Sequence, residues 1–210
     1  MNDETSADDL PRGEGVGQEQ ALLELFARNR DRLRRMVRLR LDRRLQGRVD
    51  PSDILQDAYL EVWRDLGTYL SRPEIPFYLW LRGIAGHKLL ELHRRHLGTP
   101  MRDARREVSL YRGALPGATS AALAAQLLGH ETRPSEAAVR AEAKIRLQEA
   151  LNGMEPLDRE VLALRHFEQL TNAEAARVLQ IKEAAAGKRY LRALERLREI
   201  LAQMPGGMEL

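Results

Sequence analysis

Three groups of side chains in this sequence have the types and spacing for recognition or chemistry. Asp53, Asp57 and Glu61 recur every four residues, so a helix stacks them on one face with Gln56 beside them. Like charges at that spacing weaken their own helix slightly. They suit a basic partner surface, or simply a solvated face near a helix N-terminus, where acids are welcome. In the second group, six of the ten aromatic residues (Tyr59, Trp63, Tyr69, Phe77, Tyr78 and Trp80) lie between positions 59 and 80, and Arg82, Lys88, Arg94 and Arg95 follow them. Rings that stack on bases and cations that hold phosphates are what single-stranded nucleic acid requires. Helical periodicity assigns Trp63 and Trp80 to buried stripes, which leaves Tyr69 and Tyr78 as the rings expected at the surface. In the third group, residues 177–198 carry seven bases and two acids, with Lys188 and Arg192 pointing away from an apolar helix face.

Metal and nucleophile chemistry find little support. His93 and His96 are three apart, with His87 upstream, but no second pair converges on them, and there is no cysteine. The sequence has no phosphate-binding glycine loop and no serine nucleophile elbow. We therefore expect no metal and no cofactor.

The elements that must position these groups all read as helices. Apolar residues Leu22, Leu25, Phe26, Leu33, Met36, Val37, Leu41 and Leu45 give one helical stretch from Glu19 to about Leu45, with an arginine-rich opposite face. Asp50-Pro51-Ser52-Asp53 is a helix start, with Asp as cap and Pro in the first turn. That helix buries Ile54, Leu55, Ala58, Tyr59, Val62, Trp63 and Leu66, and Gly67 is its expected stop. A loop to Pro76 precedes a helix over about 77–96. Residues 98–133 break the pattern with glycine and proline, around a possible short helix at 121–128. Helices follow at 134–151 and 156–168. Thr171-Asn172-Ala173-Glu174 is a capping box that opens a short helix ending near Gln180. A last helix runs from Lys182 or Glu183 to about Gln203, with Ala186, Tyr190, Ala193, Leu194, Leu197 and Leu201 on one face. Short capped helix, tight break and long basic helix make a helix-turn-helix layout. Small side chains at Ala184, Ala185 and Gly187 would let this helix approach a DNA groove closely.

Composition agrees. The chain has 210 residues, 34 Lys+Arg against 31 Asp+Glu, and a net charge of +3. Charge is distributed in blocks: −5 over residues 1–20, +6 over 21–97 and +2 over 143–201. The fold expected is all-α: an acidic disordered tail over 1–19, a helical domain over 20–97, a linker over 98–142, a second helical domain over 143–203 and a tail over 204–210. No stretch approaches the ~20 apolar residues of a membrane span, and the acidic start is not a secretory signal, so a cytoplasmic protein is expected.

Two stretches together resemble a known family. Asp53-Ile-Leu-Gln56-Asp57-Ala-Tyr-Leu-Glu-Val-Trp63 and Phe77-Tyr-Leu-Trp80-Leu-Arg82-Gly-Ile-Ala85-Gly-His87 resemble region 2 of bacterial sigma factors. Leu157-Asp-Arg-Glu160-Val-Leu-Ala-Leu-Arg165-His-Phe-Glu, with the helix-turn-helix after it, resembles region 4. Two such regions and a short linker resemble the extracytoplasmic-function group. The resemblance implies a promoter-specificity subunit rather than an enzyme. It implies that the helix with Asp53, Gln56, Asp57 and Glu61 docks on the clamp coiled coil of core RNA polymerase. Tyr69, Arg72, Tyr78, Arg82, His87, Lys88, Arg94 and Arg95 would serve the melted promoter strand. Lys182, Lys188, Arg189 and Arg192 would enter the major groove of the distal promoter element, and an anti-sigma partner is possible. The chain departs from the family at Gln180, where glycine is frequent, at Ala185 and Gly187, where Thr and a base are common, and at His87, where Asn is frequent. Two other readings compete. One is a stand-alone helix-turn-helix regulator that binds duplex DNA as a dimer. The other is a metal-dependent helical hydrolase built on Asp53, Asp57, Glu61 and His93.

Overall fold

The computed structural model describes residues 16–71, 75–97, 115, 117–128 and 137–202, with side chains for all of these except 16–19 and 137–140. Every regular element among them is helical: α1 (Val16–Arg40), α2 (Pro51–Ser71), α3 (Phe77–Leu97), α4 (Ser120–Leu127), α5 (Ala137–Asn152), α6 (Pro156–Leu162), α7 (Asn172–Leu179) and α8 (Glu183–Ala202). The chain divides into two compact units, Met1–Pro116 and Gly117–Leu210. Each has its own apolar core, as the all-α reading expects.

In the N-terminal unit, α1, α2 and α3 pack on one another. Leu33, Met36 and Val37 of α1, Ile54, Leu55 and Val62 of α2, and Phe77, Leu81, Ile84 and Leu89 of α3 are buried. Helix α1 ends at Arg40, earlier than the apolar pattern suggests, and Leu41 and Leu45 are buried from a turn. Asp50 opens α2 as expected, with its carboxylate accepting from the Ser52 N–H at 2.7 Å.

Gly67 does not stop α2. The helix continues to Ser71 because Tyr69 is anchored: its ring stacks on Trp80 at 4.4 Å and its hydroxyl donates to the Ile75 carbonyl at 2.9 Å. An interior glycine costs only about 0.5–1 kcal/mol, less than such packing contributes. Tyr78 is also buried, under the Arg32 guanidinium 3.6 Å from its ring centre. The expectation that Tyr69 and Tyr78 stand at the surface is therefore corrected: both are core residues, 4% and 2% exposed. Trp63 moves the other way. It was expected in the core and is 43% exposed, while Trp80 is buried as expected.

In the C-terminal unit, α4 lies within the stretch read as linker and packs on α5 through Leu123 and Ala124. Thr119 caps α4 by accepting from the Ala122 N–H at 3.1 Å. Leu147 and Leu151 of α5, Val161 and Leu162 of α6, Ala175 and Ala176 of α7, and Ala186, Ala193, Leu197 and Leu201 of α8 form the core. The helix expected over 156–168 changes pitch. After Leu162 it widens into a π turn over Ala163–Phe167, closed by the Glu168 N–H on the Ala163 carbonyl at 2.9 Å. Gln169 follows at φ 58°, and the Leu170 N–H reaches the Leu164 carbonyl at 2.9 Å.

Candidate nucleic-acid interface

The helix-turn-helix is built by local capping. Thr171 accepts from the Glu174 N–H at 3.1 Å, and Glu174 accepts from the Thr171 N–H at 2.7 Å, which completes the capping box read from the sequence. At the other end of α7, Gln180 takes the left-handed conformation, φ 55° and ψ 40°, and the Ile181 N–H bonds to the Ala176 carbonyl at 3.1 Å. That geometry favours glycine, and a side chain there carries a cost. Gly187 serves packing within the motif. A Cβ there would lie 3.1 Å from the Asn172 side chain of α7, so the glycine lets the two helices approach, and its expected role of slimming the groove-facing surface is corrected. Asn172 holds the same contact by donating to the Glu183 carbonyl at 3.1 Å.

The cations of α8 fall into two sets. Lys182, just before α8, and Lys188 are exposed, and Lys188 lies opposite the buried stripe of Ala186, Ala193 and Leu197; further along, Arg198 is exposed and Arg196 pairs with Glu199 at 2.9 Å. Arg189 and Arg192 lie on the flank that meets α6. Arg192 binds Asp158 through two bonds, at 3.0 and 3.1 Å. Arg189 donates to Asp158 at 2.7 Å and to Glu155 at 2.9 Å. Burial opposes ionisation of Asp158, but its bonds from Arg192 and Arg189 outweigh that, and its carboxyl is held below the usual range.

In the N-terminal unit, Asp53, Gln56 and Asp57 are exposed on α2, with Leu60 at 61% and Trp63 at 43% exposure on the same face. Glu61 leaves this face. It sits at the α2–α3 seam with its carboxylate paired to Lys88, and Arg64 lies 3.9 Å away. Lys88 also reaches Glu91 at 3.4 Å, and the Glu61 bond raises its pKa. Of the other residues expected to meet a single strand, Arg82 is buried, whereas His87 and Arg94 are half-buried and Arg95 is exposed along the second half of α3. Arg72 lies outside the described residues.

His93 takes no part in a metal cluster. It is buried, and its Nε2 accepts the Asp42 N–H at 3.2 Å, tying α3 to the turn after α1. Among the described residues no group of three or more His, Cys, Asp or Glu side chains converges. No described helix is long and apolar enough to cross a membrane.

Residues 144–197 match the family model described as sigma-70, region 4. The match spans the second half of α5, α6, the π turn, α7 and most of α8, and so includes both helices of the helix-turn-helix up to residue 197. The C-terminal unit carries a sigma-70 region 4. A search of curated proteins gave no match. Among solved structures, the chain is similar to that of CnrH in complex with the cytosolic domain of CnrY, at 22% identity, with 95% of this chain and 96% of that chain covered and a TM-score of 0.49.

Within region 4, the sequence found the capping box, the turn and the exposed lysines, each of which has a local signal. It missed Asp158, whose partners lie 31 and 34 positions away. A lone acid in the first turn of α6 has an ordinary explanation in helix capping, so nothing local marks it. It also missed Leu60, an apolar residue on the polar side of α2, which the helical period does flag.

Proposed function

We propose that this chain is a promoter-specificity subunit of RNA polymerase, a sigma factor of the extracytoplasmic-function group, acting in the cytoplasm and doing no bond chemistry of its own. The observation that carries the reading is the region 4 match, which covers a helix-turn-helix that presents Lys182, in the turn, and Lys188, on the long helix, to solvent. In this reading α8 enters the major groove of the distal promoter element. The exposed face of α2, with Asp53, Gln56 and Asp57 around Leu60 and Trp63, docks on core polymerase. An apolar centre rimmed by charge is the usual make-up of a protein interface. His87, Arg94 and Arg95 on α3 contact the phosphates of the melted strand. Tyr69, Tyr78 and Arg82 act indirectly, by holding α3 against α2 and α1. Two weak readers on one polymerase gain affinity through effective concentration, so neither unit alone binds DNA tightly. An anti-sigma protein that covers the α2 face is the corresponding inhibitor.

The test is co-elution of the full chain with bacterial core RNA polymerase. A one-to-one complex is expected. A folded chain that ignores the polymerase and binds duplex DNA alone as a dimer would favour the stand-alone regulator.

A further inference from the structure

Arg189 and Arg192, on the flank of α8, are unlike the lysines at and just before its start. Lys182 and Lys188 are exposed, and each is free to meet a phosphate as a point charge. Arg189 and Arg192, 28% and 59% exposed, converge on one carboxylate, Asp158, whose side chain is only 10% exposed. Arg192 presents its Nε and Nη2 edge to both oxygens of Asp158, at 3.0 and 3.1 Å. Arg189 adds a bond of 2.7 Å to the same Oδ1 and one of 2.9 Å to Glu155. A paired carboxylate edge of this kind is what a guanidinium otherwise finds in a phosphate. Met154, Glu155, Asp158, Arg192 and Arg196 line one shallow, open cleft at this place.

We infer that Asp158 withdraws Arg189 and Arg192 from the DNA-binding surface of region 4, so that phosphate contact at the start of α8 rests on Lys182 and Lys188. This rests on the DNA-binding reading above and adds to it a positioning residue outside the recognition helix. The consequence is weak binding to arbitrary duplex. Each phosphate neutralised contributes to affinity without regard to sequence, so two arginines held on a carboxylate lower the background against which a promoter is found.

The experiment measures binding of the full chain to a short labelled duplex of mixed sequence, as a function of salt. Asp158→Asn keeps the shape and releases the arginines. It should steepen the slope of log K against log salt by about 1.8, at about 0.9 per phosphate, so a fourfold rise in salt costs the variant about tenfold more affinity than the wild type. Glu195→Gln makes the same charge change at an exposed carboxylate of α8 and should leave the slope where it was. Equal slopes for these two variants would overturn the inference. Should Asp158→Asn fail to fold, Arg192→Gln decides alone: it should leave the slope of the otherwise intact chain unchanged, and a slope shallower by about 0.9 would refute the assignment. Lys182→Ala with Lys188→Ala separates the two layers of the argument. A shallower slope there with no effect of Asp158→Asn removes Asp158's role and leaves DNA binding standing. Absence of duplex binding by every variant down to the lowest salt overturns the inference, while the proposed function stands or falls on the polymerase test above.

Discussion

The two units treat their most suggestive side chains differently. In the N-terminal unit, Tyr69 and Tyr78 are in the core: one stacks on Trp80 and the other is covered by Arg32. In the C-terminal unit, Arg189 and Arg192 are likewise engaged, but at the surface, on a single carboxylate. A buried ring is committed to packing, and withdrawing it leaves a cavity. A guanidinium held on a carboxylate stays at the surface, and the carboxylate decides whether it meets another anion. Enrichment in rings or in arginines thus carries different information in the two places. In the first it reports a core, and in the second a charge whose availability is set by a neighbour.

The largest effect that sharpens this contrast is on the tryptophans. Trp80→Ala should destabilise the N-terminal unit by about 3–5 kcal/mol in denaturant unfolding, whereas Trp63→Ala should stay within about 0.5 kcal/mol. Similar losses for both would mean that Trp63 is packed and that the proposed docking face is wrongly drawn.

A smaller effect is expected from Gln180. Gln180→Gly relieves the left-handed strain, and some of the gain is offset by the entropy glycine loses on folding. A net stabilisation of region 4 of up to about 1 kcal/mol should appear in thermal unfolding. A destabilised variant would show that the Gln180 side chain contributes more than its backbone costs.

The smallest effect is a pH dependence confined to the N-terminal unit. Burial keeps His93 neutral and pushes its pKa down; Asp42 opposes this and Arg44 adds to it. As pH falls below the ordinary histidine value of about 6.5, the unfolded chain binds the proton first. Stability is therefore fully present above that value and is lost as pH falls through the lowered folded value. Asp42, held by Arg44 at about 2, stays ionised through this range and adds no slope. His93→Gln keeps an acceptor for the Asp42 N–H and should flatten the profile between neutral and mildly acid pH. A profile unchanged by the substitution would assign the titration to another group.

What was legible in the sequence follows from the range of each interaction. The Thr171 box and the strained Gln180 turn act over a few residues, and both were found. The α2 stripe was read correctly at Ile54, Leu55, Ala58, Val62 and Leu66 because packing repeats with the helix. It failed at its edge. Trp63 belongs to the stripe by residue type but lies too far round the helix, and Gly67 reads as a stop that the packing of Tyr69 overrides. Glu61 shares a spacing with Asp53 and Asp57, yet it turns to Lys88 of α3, which no local pattern announces. The short helix read at 121–128 is present as α4, whose eight residues are too short to be helical on their own and pack on α5.

The central claim is a division of labour: α2 docks on polymerase and α8 reads duplex. It is tested most directly by capturing core RNA polymerase on two charge-reversed forms of the full chain side by side, Asp53→Arg with Asp57→Arg and Lys182→Glu with Lys188→Glu. The account predicts that the first, still folded, retains no polymerase and that the second retains it as the wild type does. Capture by both alike, or loss by the second alone, would contradict it.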